Sequence, residues 1–287
     1  MLDLRPEVFR ECFNERHFVL NHRLASEPLF DLPRLIELAR DTAANRPSDL
    51  YYDAGVTDIS QRWGTAPARF PVDETIRRIE SAGAFIILKR AEHDPAYARL
   101  LDRCMSDILE VTGAELRRKM RRREVIIFVT SPRRISTYHI DSETNFLLQV
   151  HGEKDISIFS KYDREVLPED EIERFWCEDN NAAVYKPQLQ HRADVVRLVP
   201  GNGVHIPVNA PHWVQNDNNI SVSVSINYHS WDSEYAHLYC ANHFLRKKLG
   251  LTPTPPRQSP LLDSFKRPVG ALLLKYKDMR HGPIRKR

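Results

Sequence analysis

Between about residues 124 and 230 the chain is written in short β-branched runs broken by Gly, Pro and Asn, and this texture constrains the fold more than any other feature. The runs are Val125–Thr130, Thr137–Asp141, Asn145–Val150, Asp155–Phe159, Val195–Val199, Gly203–Ile206 and Ser221–Tyr228. Their spacing is that of an antiparallel barrel or sandwich. Along the last run Ser221, Ser223, Ser225, Asn227 and His229 fall on one face, and Val222, Val224, Ile226 and Tyr228 on the other. A face of small polar residues fits a hydrated barrel lumen and an exposed outer surface equally well. An acidic helix, Pro168 to Cys177, and a polar loop to about Asp194 interrupt the strands. Insertions of this length often cover a binding site.

The flanks read differently. Asp31 to Ala44 and Asp73 to Ala82 carry helical periodicity, Ala84 to Arg90 is a short buried strand, and Asp94-Pro95 opens an amphipathic helix that Gly113 is expected to stop. Ser233 caps a further helix to Leu249, with Gly250 just past its end. Thr252 to Pro256 is a stiff linker, and a short terminal helix lies around Gly270. The expected organisation is an N-terminal helical and mixed region over 1–123, a β barrel over 124–232 with a helix-loop insertion at 165–194, and C-terminal helices with a basic tail over 233–287.

Lys and Arg total 42 against 39 Asp and Glu, and the resulting +3 is too small to argue for nucleic acid or a membrane surface. The cluster Arg117, Arg118, Lys119, Arg121, Arg122, Arg123 and the closing Pro-Ile-Arg-Lys-Arg are first read as solvated surface. No segment approaches the ~18 apolar residues of a membrane span, and no signal-like apolar run opens the chain. Cys12, Cys104, Cys177 and Cys240 lie scattered, without a Cys-x-x-Cys pair. That argues against a zinc knuckle or a disulfide framework and for a reducing compartment, so a cytoplasmic location is expected.

His139-Ile-Asp141 is the first candidate for chemistry. Residues two apart in a strand point to one face, so an imidazole and a carboxylate converge on one ion. The tripeptide alone says little: with 12 His and 39 acidic residues, about 1.6 such matches arise by chance. His151-Gly-Glu153 is a second match, at a turn glycine that breaks the alternation, and is set aside. What raises the first is His212, which follows the rigid segment Pro207-Val-Asn-Ala-Pro211 and precedes Trp213, a residue placed to shield it from water. Two His and one carboxylate leave coordination positions open for O₂.

The run Tyr138-His139-Ile-Asp141-Ser-Glu-Thr-Asn145-Phe-Leu-Leu-Gln149-Val-His-Gly152-Glu-Lys154 resembles, in register, a stretch of the cupin-like JmjC hydroxylases, the group that includes the asparaginyl hydroxylase called factor inhibiting HIF. The likeness continues through Pro200-Gly201-Asn-Gly-Val-His-Ile-Pro207, Pro211-His212-Trp213 and Ser225-Ile-Asn227-Tyr228, and covers roughly residues 124 to 230. It implies a mainly β fold with flanking helices, built on a double-stranded β-helix (jelly-roll) barrel. It also implies an Fe(II)-dependent dioxygenase that uses O₂ and 2-oxoglutarate, releasing succinate and CO₂ as a substrate is hydroxylated. His139, Asp141 and His212 take the places of the iron ligands. Lys154 takes that of the lysine pairing with the distal carboxylate of 2-oxoglutarate. Asn145 and Asn227 fall where polar contacts to cosubstrate or ligand shell lie. Ser136 stands where a Thr hydroxyl is common, a shorter variant of it.

The substrate is left open as a protein side chain, a peptide or a small molecule. In the insertion Phe175, Trp176, Tyr185, Lys186, Gln190 and Arg192 either line the substrate cleft or cover the barrel. A homodimer through the C-terminal helices and a monomer with those helices packed on the barrel are both compatible with the sequence. The reading from another class is a cupin-like binding or regulatory protein that performs no oxidation.

Overall fold

The structure is a computed structural model and describes residues 1–55, 57–63, 70–229 and 235–281, of which 113–115 and 277–281 are described by backbone alone. The first part contains β1 (Leu2–Asp3), α1 (Pro6–Cys12), β2 (Phe18–His22), α2 (Leu32–Asn45), β3 (Leu50–Ala54), α3 (Val72–Arg77), β4 (Ala84–Leu88) and α4 (Pro95–Lys119). Next come β5 (Arg121–Thr130), β6 (Ile135–His139), β7 (Thr144–His151), β8 (Lys154–Ile158), α5 (Glu169–Cys177), β9 (Asp194–Leu198), β10 (Asn202–Ile206), β11 (His212–Asn216) and β12 (Ser221–His229). Two helices close the chain, α6 (Ala236–Leu249) and α7 (Pro260–His281).

Two antiparallel sheets result. The larger is ordered β1-β2-β10-β7-β12-β5-β4-β3 and the smaller β6-β11-β8-β9. Strands β1 to β4 extend the large sheet at both ends, so the N-terminal region is woven into it. The ambiguity of β12 is resolved by burial: every one of its residues is buried. Val222, Val224, Ile226 and Tyr228 join Phe146, Leu148 and Val150 of β7 in the main core with α2 and α4. The serine and asparagine face turns inward, toward the small sheet. Between the sheets Leu147, Val204 and Ile206 meet Ile156, Ile158 and Val214 in a second apolar cluster.

Helix outweighs strand, at 41% against 26% of residues, so the chain is a mix of helices and antiparallel sheets. Gly113 does not stop α4, which runs on to Lys119. Leu116 is buried beyond it, and that packing outweighs the ~1 kcal/mol penalty of an interior glycine. The terminal helix is likewise longer than its sequence suggests, with Pro268 inside it. A Cβ on Gly270 would come within 1.8 Å of the His237 carbonyl oxygen, so α7 crosses α6 too closely for a side chain there. Ser233 and the tail Pro-Ile-Arg-Lys-Arg lie outside the described residues.

The cysteine expectation needs correction. Cys177 of α5 and Cys240 of α6 form a disulfide with Cα atoms 5.5 Å apart. Spacing along the chain could not reveal it, because the fold brings together residues 63 positions apart. The cysteine argument for a reducing compartment therefore falls. No helix among the described residues is long and apolar enough to cross a membrane.

Candidate metal centre

His139 ends β6 and His212 begins β11, and the two pair across that ladder. Asp141 follows two residues after His139, in the loop before β7. One ligand atom from each of the three lies within 4.8 Å of the others, and no further cluster of this kind occurs among the described residues. Asp141 Oδ1 is 3.8 Å from His139 Nε2, and Oδ2 is 3.6 Å from His212 Nε2. Both Nδ1 atoms are occupied: His139 donates to the Thr137 carbonyl at 2.6 Å, and His212 to that of Ala210 at 2.9 Å. These bonds fix the tautomer and leave both Nε2 lone pairs turned to Asp141. Burial, with the neighbouring His139, pushes the pKa of His212 down to about 3, which keeps it a neutral ligand. Two imidazoles and one carboxylate with free donor atoms suit a divalent transition metal.

A polar track leads inward from the triad. Asn145 Nδ2 approaches Asp141 Oδ2 at 3.5 Å. Asn145 lies opposite Asn227 across β7 and β12, and the Ser225 hydroxyl sits 2.6 and 2.7 Å from their side-chain oxygens. Two residues further along β12, Ser223 donates to Gln149 and receives the ammonium of Lys154. Lys154 is 5% exposed, and no carboxylate among the described residues pairs with it. Desolvation alone lowers its pKa to about 7. It lies opposite Asn216, four residues from His212 along β11, or about 13 Å of strand. The track between them is long enough for a short dicarboxylate.

Ser136 lies opposite Val214, across a register shift that separates it from the His139–His212 pair. It is half-buried and makes no side-chain hydrogen bond among the described residues. The second His-x-Glu match does not form a site. Gly152 at φ +69 turns the chain, and Glu153 is exposed and paired with Arg197 at 2.6 Å. Trp213 is not the shield expected of it. Strand alternation points it away from His212, to the outer face of the small sheet, where it donates to Gln190 at 3.1 Å and packs on Tyr185. The ring over His139 is instead Trp63, edge-on at 5.8 Å. It comes from a loop with no strand or helix signal, so no periodicity marks it in advance.

The insertion proves to be a brace on the small sheet. Phe175 and Trp176 are buried against Ile140 and Val208. Tyr185 packs on Tyr138, Gln190 donates through Nε2 to the Ser157 hydroxyl at 3.2 Å, Lys186 pairs with Glu171, and Arg192 with Asp163. The basic residues 117, 118 and 121–123 are exposed, as expected of a solvated cluster.

The two-sheet scaffold thus carries a His, Asp, His cluster that could hold a metal ion, and a buried lysine further along the same interior. Solved structures with this fold include the X-ray structure of YcfD from Escherichia coli, with TM-score 0.53 and 16% identity over 100% of this chain and 70% of that one. They also include the E. coli ribosomal oxygenase YcfD in complex with cobalt and 2-oxoglutarate, with TM-score 0.51 and 16% identity over 95% and 68%. The same oxygenase with cobalt and succinic acid gives 0.50 and 16% over 100% and 69%. At such identity the likeness is one of fold. No family model and no curated protein matches the sequence.

Proposed function

We propose that the chain is an Fe(II)- and 2-oxoglutarate-dependent dioxygenase of the JmjC type, its two sheets forming a double-stranded β-helix. The observation that carries this reading is Lys154: a buried cation with no carboxylate partner among the described residues, joined by a polar track to a His, Asp, His triad. A buried, unpaired ammonium costs stability unless an anion meets it. His139, Asp141 and His212 would hold the metal, and Lys154 with Ser223 beside it the distal carboxylate of 2-oxoglutarate. Asn145, Asn227 and, at the mouth, Ser136 would orient the ligand shell. The metal, when bound, supplies O₂ activation coupled to decarboxylation of the cosubstrate. The chain's own part is to present two neutral imidazoles and a carboxylate, to seat one dicarboxylate in a fixed direction, and to keep water off His212.

That structures of a ribosomal oxygenase with this fold were obtained with cobalt and 2-oxoglutarate supports the ligand pair. The substrate class stays a protein side chain, a peptide or a small molecule, and a cytoplasmic setting belongs to the proposal. Anaerobic titration with Fe(II) and 2-oxoglutarate tests it. A weak charge-transfer band at about 500 nm is expected of this ligand set. Metal binding without the band supports the alternative of a non-oxidising binding protein. Leu261, Phe265 and Leu272 on α7, at 69, 68 and 70% exposure, form an apolar ridge that supports a homodimer through the C-terminal helices. Light scattering of the purified chain at twice the 33.4 kDa protomer mass is the expected result.

A further inference from the structure

We propose that Trp176 and Asn209 are positioning residues that set the geometry of the metal ligands from behind, through the inserted segment. The inference rests on the reading of His139, Asp141 and His212 as a metal site.

Asn209 stands three residues before His212, buried and in the left-handed region at φ +63. Its backbone N–H donates to the carbonyl oxygen of Asp141 at 2.9 Å. The next residue, Ala210, supplies the carbonyl that receives His212 Nδ1. One short turn therefore touches two ligands, binding the backbone of one and the imidazole of the other.

What holds this turn is α5. The indole Nε1 of Trp176 donates to Asn209 Oδ1 at 3.0 Å, and both residues are buried. The same helix packs Phe175 and Trp176 against Ile140, which lies between His139 and Asp141, and against Val208, which precedes Asn209. Both ligand-bearing turns thus rest on one apolar surface. That surface is itself fixed, since the neighbouring Cys177 is bonded to Cys240 of α6 and the Trp176 ring stacks on Tyr239 at 6.0 Å. Outer partners that orient ligands commonly control metal affinity as much as geometry does. Here the outer partner comes from a segment absent from the strand pattern.

The test uses the full-length apo-protein titrated with Co(II), followed by the visible absorption of the bound metal, with neither 2-oxoglutarate nor O₂ present. Trp176→Phe keeps the ring and removes the donor. Asn209→Gly keeps the positive φ and removes the acceptor. Asn209→Asp keeps an acceptor on a residue that tolerates this backbone. The expected result is that Trp176→Phe and Asn209→Gly each weaken Co(II) binding about tenfold, that the double variant is no weaker than the poorer single one, and that Asn209→Asp retains affinity. Wild-type affinity in folded Trp176→Phe and Asn209→Gly overturns the proposal. So does a drop in melting temperature with unchanged affinity, which assigns the pair a structural role. If the wild type itself binds no Co(II), it is the metal reading that fails. Should Trp176→Phe not fold, the contrast between Asn209→Gly and Asn209→Asp decides.

Discussion

His212 lies directly across the β6–β11 ladder from His139, with ring centroids 4.2 Å apart and each Nδ1 bonded to the carbonyl two residues earlier in its own chain segment. Because the two rings are held alike, the site depends on the third ligand to close it. Asp141→Ala is expected to abolish Fe(II) or Co(II) binding measured by calorimetry. Glu153→Ala, which breaks only an exposed pair with Arg197, is expected to leave binding unchanged and stability within about 0.5 kcal/mol. Equal loss in both folded variants would show that the ligands are wrongly assigned.

Lys154 sets function against stability. Its pKa near 7 means that the ammonium required for an anion is present below that pH and lost above it. The affinity for 2-oxoglutarate should be flat below pH 7 and fall about tenfold per unit above it. Lys154→Met should lose that affinity, keep metal binding, and melt higher at neutral pH, by about 1–3 kcal/mol, because a desolvated polar group is removed. A lower melting point would contradict the account.

His205 is wholly buried, donates to the Asn145 carbonyl through Nδ1, and accepts the Asn14 N–H at Nε2. Burial lowers its pKa to about 3. The unfolded chain therefore binds the extra proton between about pH 6.5 and 3, so this contribution to stability is complete above 6.5 and is lost as pH falls toward 3. Denaturant melts of His205→Gln should show a shallower decline over that window than the wild type, by up to about 1.4 kcal/mol per pH unit. Parallel curves would exclude His205 as a source of acid sensitivity.

Gly152 makes the turn that delivers Lys154 to the interior. At φ +69, a Cβ there would lie 2.0 Å from Asn219 Oδ1 and 2.1 Å from the Ile220 carbonyl oxygen. Gly152→Ala should cost at least about 2 kcal/mol in a thermal or urea melt. It should also weaken 2-oxoglutarate binding more than metal binding. A neutral outcome would mean that the turn can relax.

Much of this was legible in the sequence, and the reasons are local. His139, His212, Lys154, Asn145 and Asn227 sit on strands and Asp141 just past the end of one, and it is the spaced resemblance to the JmjC hydroxylases, more than strand period alone, that singles these positions out. The supports were not legible. Thr137 and Ala210 act through carbonyl groups that every residue carries, so no residue type marks them. Trp63 approaches from a loop, and Trp176 from an inserted helix, so their placement follows from packing. Trp213 does not shield His212, because adjacency to a ligand in a strand means the opposite face. Ser223, the immediate neighbour of the Lys154 ammonium, was visible only as one of an alternating set.

The brace also fixes an order of events during synthesis. His139 and Asp141 leave the ribosome well before Asn209 and His212, and Cys240 follows later still. A nascent chain that has emerged only as far as β8 carries His139 and Asp141 but neither His212 nor the Trp176–Asn209 contact behind it, so the three-residue cluster is completed only when β11 is made.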